Sequence, residues 1–285
     1  MKKIGFIGQG WIGKNYADDF ERRGYEVVRY SLEPSYASNK DLISLCDIVF
    51  IAVPTPTTKD GFDSSIVESV MSLVGVNKTA VIKSTIIPGT TEKIQNLFTD
   101  RFVVHSPEFL QEKTAAHDAS NPTRNIVGVP IQNIEYQKRA EEVLSVLPSA
   151  PISFVCSAKE AELVKYFCNA FLFTKVVFAN IMYDLTHSVG GDWEVVKKGV
   201  SADPRIGGSH LNPVDASGHT DVPGRGAGGH CFIKDFKAFM DLYEKIVDDK
   251  MGLSVLKSTE SKNIDLLVKS KKDIDILKDI YELPL

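Results

Sequence analysis

The stretch that decides the fold is Ile4–Gly13, in which the apolar run Ile4–Ile7 leads directly into a glycine-rich turn. The run predicts a buried strand, and the residues after the turn predict the start of a helix. In a G-x-G-x-x-G turn at such a junction, the first glycine allows the tight bend, the second lets the backbone approach a pyrophosphate, and the third packs helix on strand. We therefore expect a dinucleotide site at Gly8, Gln9, Gly10, Trp11, Ile12 and Gly13.

Outward from this turn, the first half of the chain alternates short β-branched runs with helical patterns. Such alternation predicts an α/β fold, a Rossmann-like doubly wound parallel sheet with helices on both faces, for residues 1–157. The predicted strands are Ile4–Ile7, Glu26–Tyr30, Asp47–Ala52, Ala80–Lys83, Phe102–His105, Asn125–Gly128 and Ile152–Val155. The predicted helices include Ile12–Arg23, Ser64–Val74 and Glu135–Val146.

The second half, residues 158–285, has a different pattern and predicts an all-helical domain built on one long helix. Lys159–Val189 contains no proline and no glycine before Gly190, so we expect a single helix there. Between the next two helices runs a loop rich in Gly, Pro, Asn and His, Gly207–His230, which is too irregular for a packed helix and predicts a functional segment. The shorter predicted helices are Trp193–Val200, Lys234–Asp248 and Ser254–Leu277.

Composition narrows the class of protein. The chain has 285 residues, 43% hydrophobic and 25% charged, with a net charge of −4, which is typical of a globular protein of about two domains. No basic field exists to hold nucleic acid. No apolar run approaches the ~20 residues of a membrane span, and Met1-Lys2-Lys3 leads into a strand instead of a signal peptide. Four widely spaced cysteines predict free thiols and a cytoplasmic location.

The residue that would hold the adenosine ribose leaves the choice of cofactor open. The second predicted strand ends at Ser31, where an NAD enzyme usually has an aspartate for the 2′-hydroxyl. Glu33 could substitute for it, which favours NAD. Ser31 with Arg29 could instead accept the 2′-phosphate of NADP.

Two groups of residues have the chemistry of a catalytic site. Cys231 lies on a glycine-rich segment leading into a predicted helix, where the helix dipole and Lys234 would favour the thiolate. The other cysteines, Cys46, Cys156 and Cys168, are expected to be buried and structural. Lys165 and Asn169 are four apart on the long helix, so both project from one face and could stabilise an oxyanion. A lysine among the apolar neighbours there would be desolvated and its pKa lowered.

Several motifs follow the glycine turn in one order: Val53-Pro54-Thr55-Pro56, Ser84–Thr91, Ser106–Glu112, Ala161–Phe171 and Gly226–Asp235. The ordered set closely resembles the UDP-glucose/GDP-mannose dehydrogenase family of nucleotide-sugar 6-dehydrogenases, from the N-terminus to about Asn263. The resemblance implies NAD-dependent four-electron oxidation of a C6 hydroxyl to a uronic acid, through a thiohemiacetal and a thioester on Cys231.

The resemblance also implies a role for each matching residue. Asp235, with Lys165 and a water held by Thr85, would be the base of the first oxidation, and Glu112 would be the base for thioester hydrolysis. The cofactor would be contacted by the glycine turn together with Ser31, Val53, Thr55, Thr85 and Lys234. The sugar nucleotide would be contacted by Glu108, Phe109, Leu110, Lys165, Asn169, Thr220, Asp221, Val222, Pro223, Gly224 and Gly228. A homodimer through the long helix is implied as well.

This sequence departs from the family at Lys113, His219, Asp221 and Arg225, so it does not choose among UDP-glucose, UDP-N-acetylhexosamine and GDP-mannose. Residues Ser270–Leu285 are too short for the C-terminal nucleotide-binding domain usual in the family, and we expect weaker nucleotide binding or a clamp from a partner subunit. The histidines near Cys231 fit no zinc spacing, so no metal is expected. Two other functions stay open: a two-electron dehydrogenase related to 6-phosphogluconate and hydroxyacid dehydrogenases, and a non-catalytic dinucleotide-binding protein.

Overall fold

The computed structural model describes residues 2–281, apart from the side chain of Glu112. The chain divides into two compact units. The first comprises Met1–Pro56 and Phe62–Lys165, and the second comprises Thr57–Gly61 and Tyr166–Leu285.

The first unit contains seven strands: β1 (Ile4–Ile7), β2 (Val27–Tyr30), β3 (Ile48–Ile51), β6 (Thr79–Ile82), β7 (Phe102–His105), β8 (Arg124–Val129) and β9 (Ile152–Ser157). Between β3 and β6 in the chain, the short strand β4 (Thr57–Thr58) belongs to the second unit and β5 (Gly61–Phe62) lies at the boundary between the two units. The first unit arranges its seven strands in one sheet, in the order β2-β1-β3-β6-β7-β8-β9. Its helices are α1 (Trp11–Arg22), α2 (Pro34–Ala37), α3 (Ser65–Val70), α4 (Thr90–Leu97), α5 (Ala115–Ser120) and α6 (Ile134–Val146). Every predicted strand is present to within two residues, which confirms the Rossmann-like fold.

Both faces of this sheet are buried along its central strands β1, β3 and β6. Along β3, Phe50 packs with one apolar cluster, while Val49 and Ile51 pack with another on the opposite face. Phe50 stacks on Phe6 of β1 with ring centroids 5.0 Å apart. Because successive strand residues point to opposite faces, a strand covered on both sides needs the continuous apolar run seen in the sequence.

One pairing differs from the predicted parallel sheet, because β7 and β8 run antiparallel. The segment between them, which includes α5, therefore begins and ends at the same edge of the sheet and does not cross a face. The residues after β7 stay at the carboxyl edge, where those following β1, β3 and β6 also lie. This edge collects the predicted motifs of the first unit.

The second unit is helical. It contains most of α7 (Ala158–Ser188), then α8 (Trp193–Ser201), α9 (Gly229–Ile246), α10 (Lys250–Ser270) and α11 (Ile274–Ile280), with the short antiparallel strands β10 (Val214–Asp215) and β11 (Gly224–Arg225). The single long helix is confirmed. Phe173 of α7 stacks on Phe236 of α9 at 4.0 Å between centroids, in the centre of one of the apolar clusters of this unit.

Two helix boundaries in the second unit differ from prediction. Helix α9 begins at Gly229 and not at Lys234, so Cys231 lies in its first turn and not on the preceding loop. The predicted helix Ser254–Leu277 is broken between α10 and α11, where Lys271 and Asp273 adopt left-handed φ angles of 57° and 52°. Neither residue type signals this conformation strongly, so the break was not visible in the sequence. Residues 282–285 lie outside the described range.

By length and composition alone, α7 is long and apolar enough to cross a membrane, although its apolar residues do not form one uninterrupted run. The helix nevertheless buries Glu162, Lys165 and Asn169, and each bonds to protein partners. Buried, paired polar side chains of this kind are consistent with the core helix of a folded unit.

Candidate active site

The glycine turn has the geometry that a dinucleotide needs. Gly8 has a φ of 92°, and a Cβ there would lie 2.2 Å from the carbonyl oxygen of Ala52. A Cβ on Gly13 would lie 2.0 Å from the carbonyl oxygen of Gly8, whereas one on Gly10 would meet nothing within 4 Å. The first and third glycines are thus required by the turn and by helix packing, and the space over the second is open for a pyrophosphate at the start of α1. These residues fit NAD.

The end of β2 favours an unphosphorylated ribose. The Arg29 guanidinium lies 2.7 Å from Asp18 and 2.7 Å from Glu21, so two carboxylates already engage the cation that could have held a 2′-phosphate. Ser31 accepts a hydrogen bond from the backbone N–H of Glu33 at 3.3 Å, and Glu33 is exposed. The residues at this point supply oxygen acceptors suited to hydroxyl groups.

Two neighbouring strand ends bring three predicted cofactor residues together. The Ser84 hydroxyl accepts from the N–H of Val53 at 3.0 Å and donates to its carbonyl at 2.7 Å. The Thr55 hydroxyl donates to the carbonyl of Thr85 at 2.8 Å. These bonds tie the segment after β3 to the segment after β6, so Val53, Thr55 and Thr85 share one rigid edge.

Lys165 and Glu108 form a buried ion pair in the first unit. The Lys165 Nζ lies 2.7 Å from Glu108 Oε1, and the two residues are only 6% and 5% exposed. The other oxygen of Glu108 accepts from the backbone N–H of Leu110 at 2.8 Å, so that N–H is already engaged by the protein. The guanidinium carbon of Arg124 lies over the ring of Phe109, 3.7 Å from the ring centroid.

A second buried cation beside this pair was not predicted. Lys83 Nζ lies 3.2 Å from the Ser106 hydroxyl and 4.4 Å from the ring centroid of Tyr16. Burial lowers the pKa of Lys83 to about 7, with Glu108 opposing and Lys165 adding to this effect. The sequence signal for this residue was a lysine directly after the apolar strand β6. That signal does not show that the lysine is buried, because its burial depends on contacts with distant segments.

Glu162 anchors α7 one turn before Lys165. Its fully buried carboxylate accepts from the N–H of Gly89 at 2.6 Å, and from the N–H and hydroxyl of Thr91 at 2.9 and 2.6 Å. Burial raises the pKa of Glu162 to about 7, while these hydrogen bonds oppose that rise. Glu162 thereby holds the N-terminus of α4 against the helix that carries Lys165.

His105, the last residue of β7, is fully buried, and neither ring nitrogen has a hydrogen-bond partner among the described residues. Burial lowers its pKa to about 3, with the nearby Lys83 charge adding to this effect. Because an unfolded histidine binds a proton near pH 6.5, acid favours the unfolded state. This contribution destabilises the fold progressively as the pH falls from about 6.5 to about 3.

We expect His105→Leu to reduce this loss of stability in acid. Relative to the native chain, its unfolding free energy should improve by about 2 kcal/mol more at pH 5 than at pH 8. Denaturant unfolding at the two pH values measures the difference. The matched control is His117→Leu, which removes an exposed histidine and should not change the pH dependence. Parallel pH curves for native and His105→Leu proteins would contradict the assignment.

In the second unit, α9 carries Cys231 in its first turn and Asp235 one turn later. Asp235 is buried and accepts from Asn169 Nδ2 at 2.6 Å, and its other oxygen lies 2.5 Å from Lys234 Nζ. The predicted residues Asn169, Lys234 and Asp235 are therefore brought together. Lys165 lies four residues before Asn169 on the continuous helix α7, so the two point to one side of that helix.

The four cysteines all lie among the described residues, are not joined in disulfides, and differ in exposure. Cys231 is exposed and Cys46 is buried, but Cys156 and Cys168 are only half-buried, not fully buried as expected. Burial raises the pKa of Cys46 and of Cys156 to about 11. Neither of these two is suited to act as a thiolate near neutral pH, whereas Cys231 is exposed in the first turn of α9.

The predicted substrate loop is only partly open. Thr220 is half-buried, and Asp221, Val222 and Pro223 are exposed. Gly224 and Gly228, however, pack against the chain's own Lys272 and Asp273, which a Cβ at either glycine would contact. The small size of these two residues therefore does not by itself indicate a ligand site. The unusual Arg225 bonds to the side chain of Asn180 at 2.9 Å and pairs with Asp184 at 2.8 Å. His219 pairs with Asp275 at 2.6 Å.

Glu112 begins the 3-10 helix Glu112–Thr114, and its side chain lies outside what the structure describes. Its predicted role as a base therefore stays a prediction. Within residues 2–281, no three His, Cys, Asp or Glu side chains form a group that could hold a metal ion.

The fold and these groups define the class of protein: a dehydrogenase-type chain with a dinucleotide-binding unit followed by a helical unit. Residues 35–146 match the NAD binding domain of the UDP-glucose/GDP-mannose dehydrogenase family, and residues 159–264 match its central domain. The chain belongs to the UDP-glucose/GDP-mannose dehydrogenase family.

Individual proteins of known sequence or structure are also similar to this chain. UDP-glucose 6-dehydrogenase of Rickettsia felis is 31% identical over 263 residues, which cover 88% of this chain and 55% of the relative. This chain thus spans about half the length of that relative. A UDP-glucose dehydrogenase structure from Pyrobaculum islandicum has 27% identity and a TM-score of 0.76, covering 93% of this chain and 68% of the other. Mycobacterium tuberculosis 3-hydroxyisobutyrate dehydrogenase has a TM-score of 0.70 over 98% of both chains, but at 15% identity it shows the fold alone.

Proposed function

We propose that the protein catalyses the NAD-dependent, four-electron oxidation of the C6 hydroxyl of a nucleotide sugar to the uronic acid. Residues 1–157 would bind the dinucleotide, and residues 158–285 would carry the catalytic cysteine. NAD supplies the hydride acceptor, one molecule for each of the two oxidations. Family membership supports this substrate class, and UDP-glucose is the first sugar nucleotide to test because it appears in the names of similar proteins.

In the first oxidation the chain must remove the proton of the hydroxyl. We assign this to Asp235, acting with Lys165 and an ordered water that Thr85 helps to hold. Lys165 and Asn169 would stabilise the negative charge on the substrate oxygen, because an ammonium and an amide donor on one side of a helix can converge on one atom.

In the second oxidation the intermediate aldehyde must be held. The Cys231 thiolate would add to the aldehyde carbon and form a thiohemiacetal, whose oxygen is stabilised by the same Lys165 and Asn169. Loss of the second hydride leaves a thioester. Water, with Glu112 as base, would cleave it to the carboxylate and return the thiol. Glu108–Leu110, Thr220–Gly224 and Gly228 are assigned to the sugar nucleotide.

The observation that carries this proposal is the first turn of α9. It places an exposed thiol one turn from a buried aspartate that is fixed by Asn169 and Lys234. A two-electron dehydrogenase has no need of a nucleophile there, whereas oxidation of an aldehyde through a covalent intermediate requires one.

The test is to incubate the protein with UDP-glucose, UDP-N-acetylhexosamine or GDP-mannose and with NAD or NADP. We expect about two NADH per sugar acid, because a primary alcohol loses two hydrides on its way to a carboxylate. NADP should be the poorer cofactor, because Arg29 is engaged by two carboxylates. One NADH per turnover would favour the two-electron alternative, and binding without turnover on the whole panel would favour the non-catalytic one.

We also propose a homodimer formed through α7. This helix exposes a stripe of large apolar side chains at helical spacing, and the Phe167 and Phe171 rings stack at 6.1 Å. Such a stripe is unfavourable in water unless it is covered, and a second copy of the same helix offers a self-complementary surface. The stripe consists of Leu163, Phe167, Phe171, Phe178, Ile181 and Leu185. We also propose a cytoplasmic location, because the cysteines would stay reduced there.

The dimer is tested by Phe171→Glu. A charge in the stripe should shift the protein from dimer toward monomer, because burying an unpaired carboxylate in the interface costs roughly several kcal/mol of desolvation free energy. Size-exclusion chromatography coupled to light scattering measures the mass. Lys198→Glu on α8 makes an exposed charge change outside the stripe and should leave the mass unchanged. A native protein that is monomeric at all accessible concentrations would refute the dimer.

A further inference from the structure

The turn between α10 and α11 is bonded to the glycine-rich segment that precedes Cys231. Asp273 accepts from the N–H of Gly229 at 2.7 Å and from the hydroxyl of Ser217 at 2.9 Å. Lys272 Nζ donates to the carbonyls of Gly224 and Gly226 at 3.3 and 2.9 Å. Lys272 and Asp273 are each only 3% exposed. One buried carboxylate and one buried ammonium thus satisfy backbone groups at both ends of this segment.

Helix α10 completes the same set of bonds. Asn263 accepts from the N–H of Ala227 at 2.7 Å and donates to its carbonyl at 2.9 Å. The Ser270 hydroxyl accepts from the N–H of Arg225 at 3.0 Å. Because a buried backbone polar group without a partner is costly, these side chains determine the conformation of the segment before Cys231.

The fit between the turn and the segment is also steric. A Cβ on Gly228 would lie 2.1 Å from Asp273 Oδ2 and 2.7 Å from Lys272 Cε, and a Cβ on Gly224 would lie 2.7 Å from Lys272 Cβ. On the other side of the contact, Lys271 and Asp273 hold left-handed backbone angles, which are strained for residues other than glycine. The hydrogen bonds of the turn offset this strain, so the turn and the segment form one interlocked unit.

We propose that Lys272 and Asp273 are positioning residues for Cys231, which hold the Gly224–Gly229 backbone so that α9 starts at Gly229, and whose opposite charges adjust the acidity of the thiol. The inference rests on the proposed function only in taking Cys231 as the nucleophile. Both residues lie beyond residues 159–264, the part matched to the family's central domain.

Other charged groups lie in the same region. The loop before β11 contributes His219, whose ring lies 4.6 Å from that of His230 on α9 and which pairs with Asp275 of α11. Helix α9 itself contributes Lys234 and Asp235, which pair with each other. The charge of Asp215 on β10 acts on Lys272. Lys272 and Asp273 both hydrogen-bond to the backbone of Gly224–Gly229 and carry opposite charges, so removing one charge or the other should shift the acidity of the thiol in opposite directions.

The experiment measures the thiol without any substrate. The rate at which iodoacetamide alkylates Cys231 is followed by mass spectrometry of its peptide across pH, in the full chain and in variants. Asp273→Asn keeps an acceptor but removes a negative charge, and should move the midpoint down by about 0.5 to 1 pH unit; Lys272→Met should move it up by a similar amount. The exposed controls Asp279→Asn and Lys271→Met should leave it unchanged.

The positioning role is refuted if both test variants keep the native midpoint, or if the controls shift as much as they do. Circular dichroism shows whether Lys272→Met folds. If it does not, Lys272→Gln replaces it in the alkylation assay, because glutamine removes the same charge but keeps a hydrogen-bond donor. A purely structural role of α11 would lower the melting temperature without opposite shifts. Failure to oxidise any sugar nucleotide would instead contradict the proposed function, because the alkylation assay needs no turnover.

Discussion

Replacing Cys231 with serine is expected to abolish complete oxidation, lowering the rate of uronic acid formation about 1,000-fold. The first turn of α9 favours a thiolate, but a serine hydroxyl in the same place stays protonated near neutral pH and adds slowly to the aldehyde. Without the thioester, the second hydride transfer has no efficient route. NADH formed per sugar consumed should therefore fall from about two toward one, as measured by absorbance and product analysis.

Cys156→Ser is the matched control for this variant. Cys156 lies on β9, and burial raises its thiol pKa to about 11, so its replacement should leave turnover unchanged. A Cys231→Ser protein that still completes the oxidation at the native rate would refute covalent catalysis. A native stoichiometry with slow turnover would instead assign Cys231 to substrate binding.

Replacing Lys165 with methionine is expected to affect both activity and stability. Loss of the cation should lower turnover at least about 100-fold, because the substrate oxygen loses a charged donor. It also leaves the Glu108 carboxylate buried without its partner at 2.7 Å, which should lower the unfolding free energy by about 3 kcal/mol. Since the Lys165 charge lowers the pKa of Lys83, its removal should raise that pKa and compensate in part.

A double variant separates the two effects. Lys165→Met with Glu108→Gln removes both charges, so stability should largely recover while turnover stays low. Lys159 lies on the same helix as Lys165, and Lys159→Met breaks a more exposed ion pair with Glu92 of α4, so it should cost less than about 1 kcal/mol. Native turnover in Lys165→Met, or no recovery in the double variant, would contradict the role given to this pair. Denaturant unfolding and steady-state kinetics on the same samples measure both quantities.

The strands and the long helix were predictable because their signals are local. The apolar run in β3 signals burial on both faces, and Lys159–Val189 lacks helix breakers, so each element is specified by its own residues. The antiparallel β7–β8 pair was missed because strand direction depends on where the connection returns. The break between α10 and α11 was missed because the left-handed residues there are stabilised by contacts with Gly224–Gly229.

The same division holds for the candidate site. Spacing and chemical type point to Cys231, Lys165 and Asn169, and the resemblance to the family adds Asp235. The hydrogen bond between Asn169 and Asp235 joins two residues that are 66 positions apart, which neither local pattern indicates. In the sequence, the buried cation Lys83 looks like an ordinary end of a strand, and so does His105, whose ring nitrogens bond to no residue that the structure describes. Their altered pKa values come from burial by segments far away in the chain, which no local pattern encodes.

The sequence by itself thus determined the dinucleotide turn, the order of strands and helices along the chain and the residue types available for chemistry, because these depend on neighbours in the chain. Only the tertiary structure decided that Gly224 and Gly228 make room for Lys272 and Asp273, and that Cys231 belongs to the first turn of its helix. The physical reason is that hydrogen bonding and close packing between distant segments select one conformation from several that the local sequence permits.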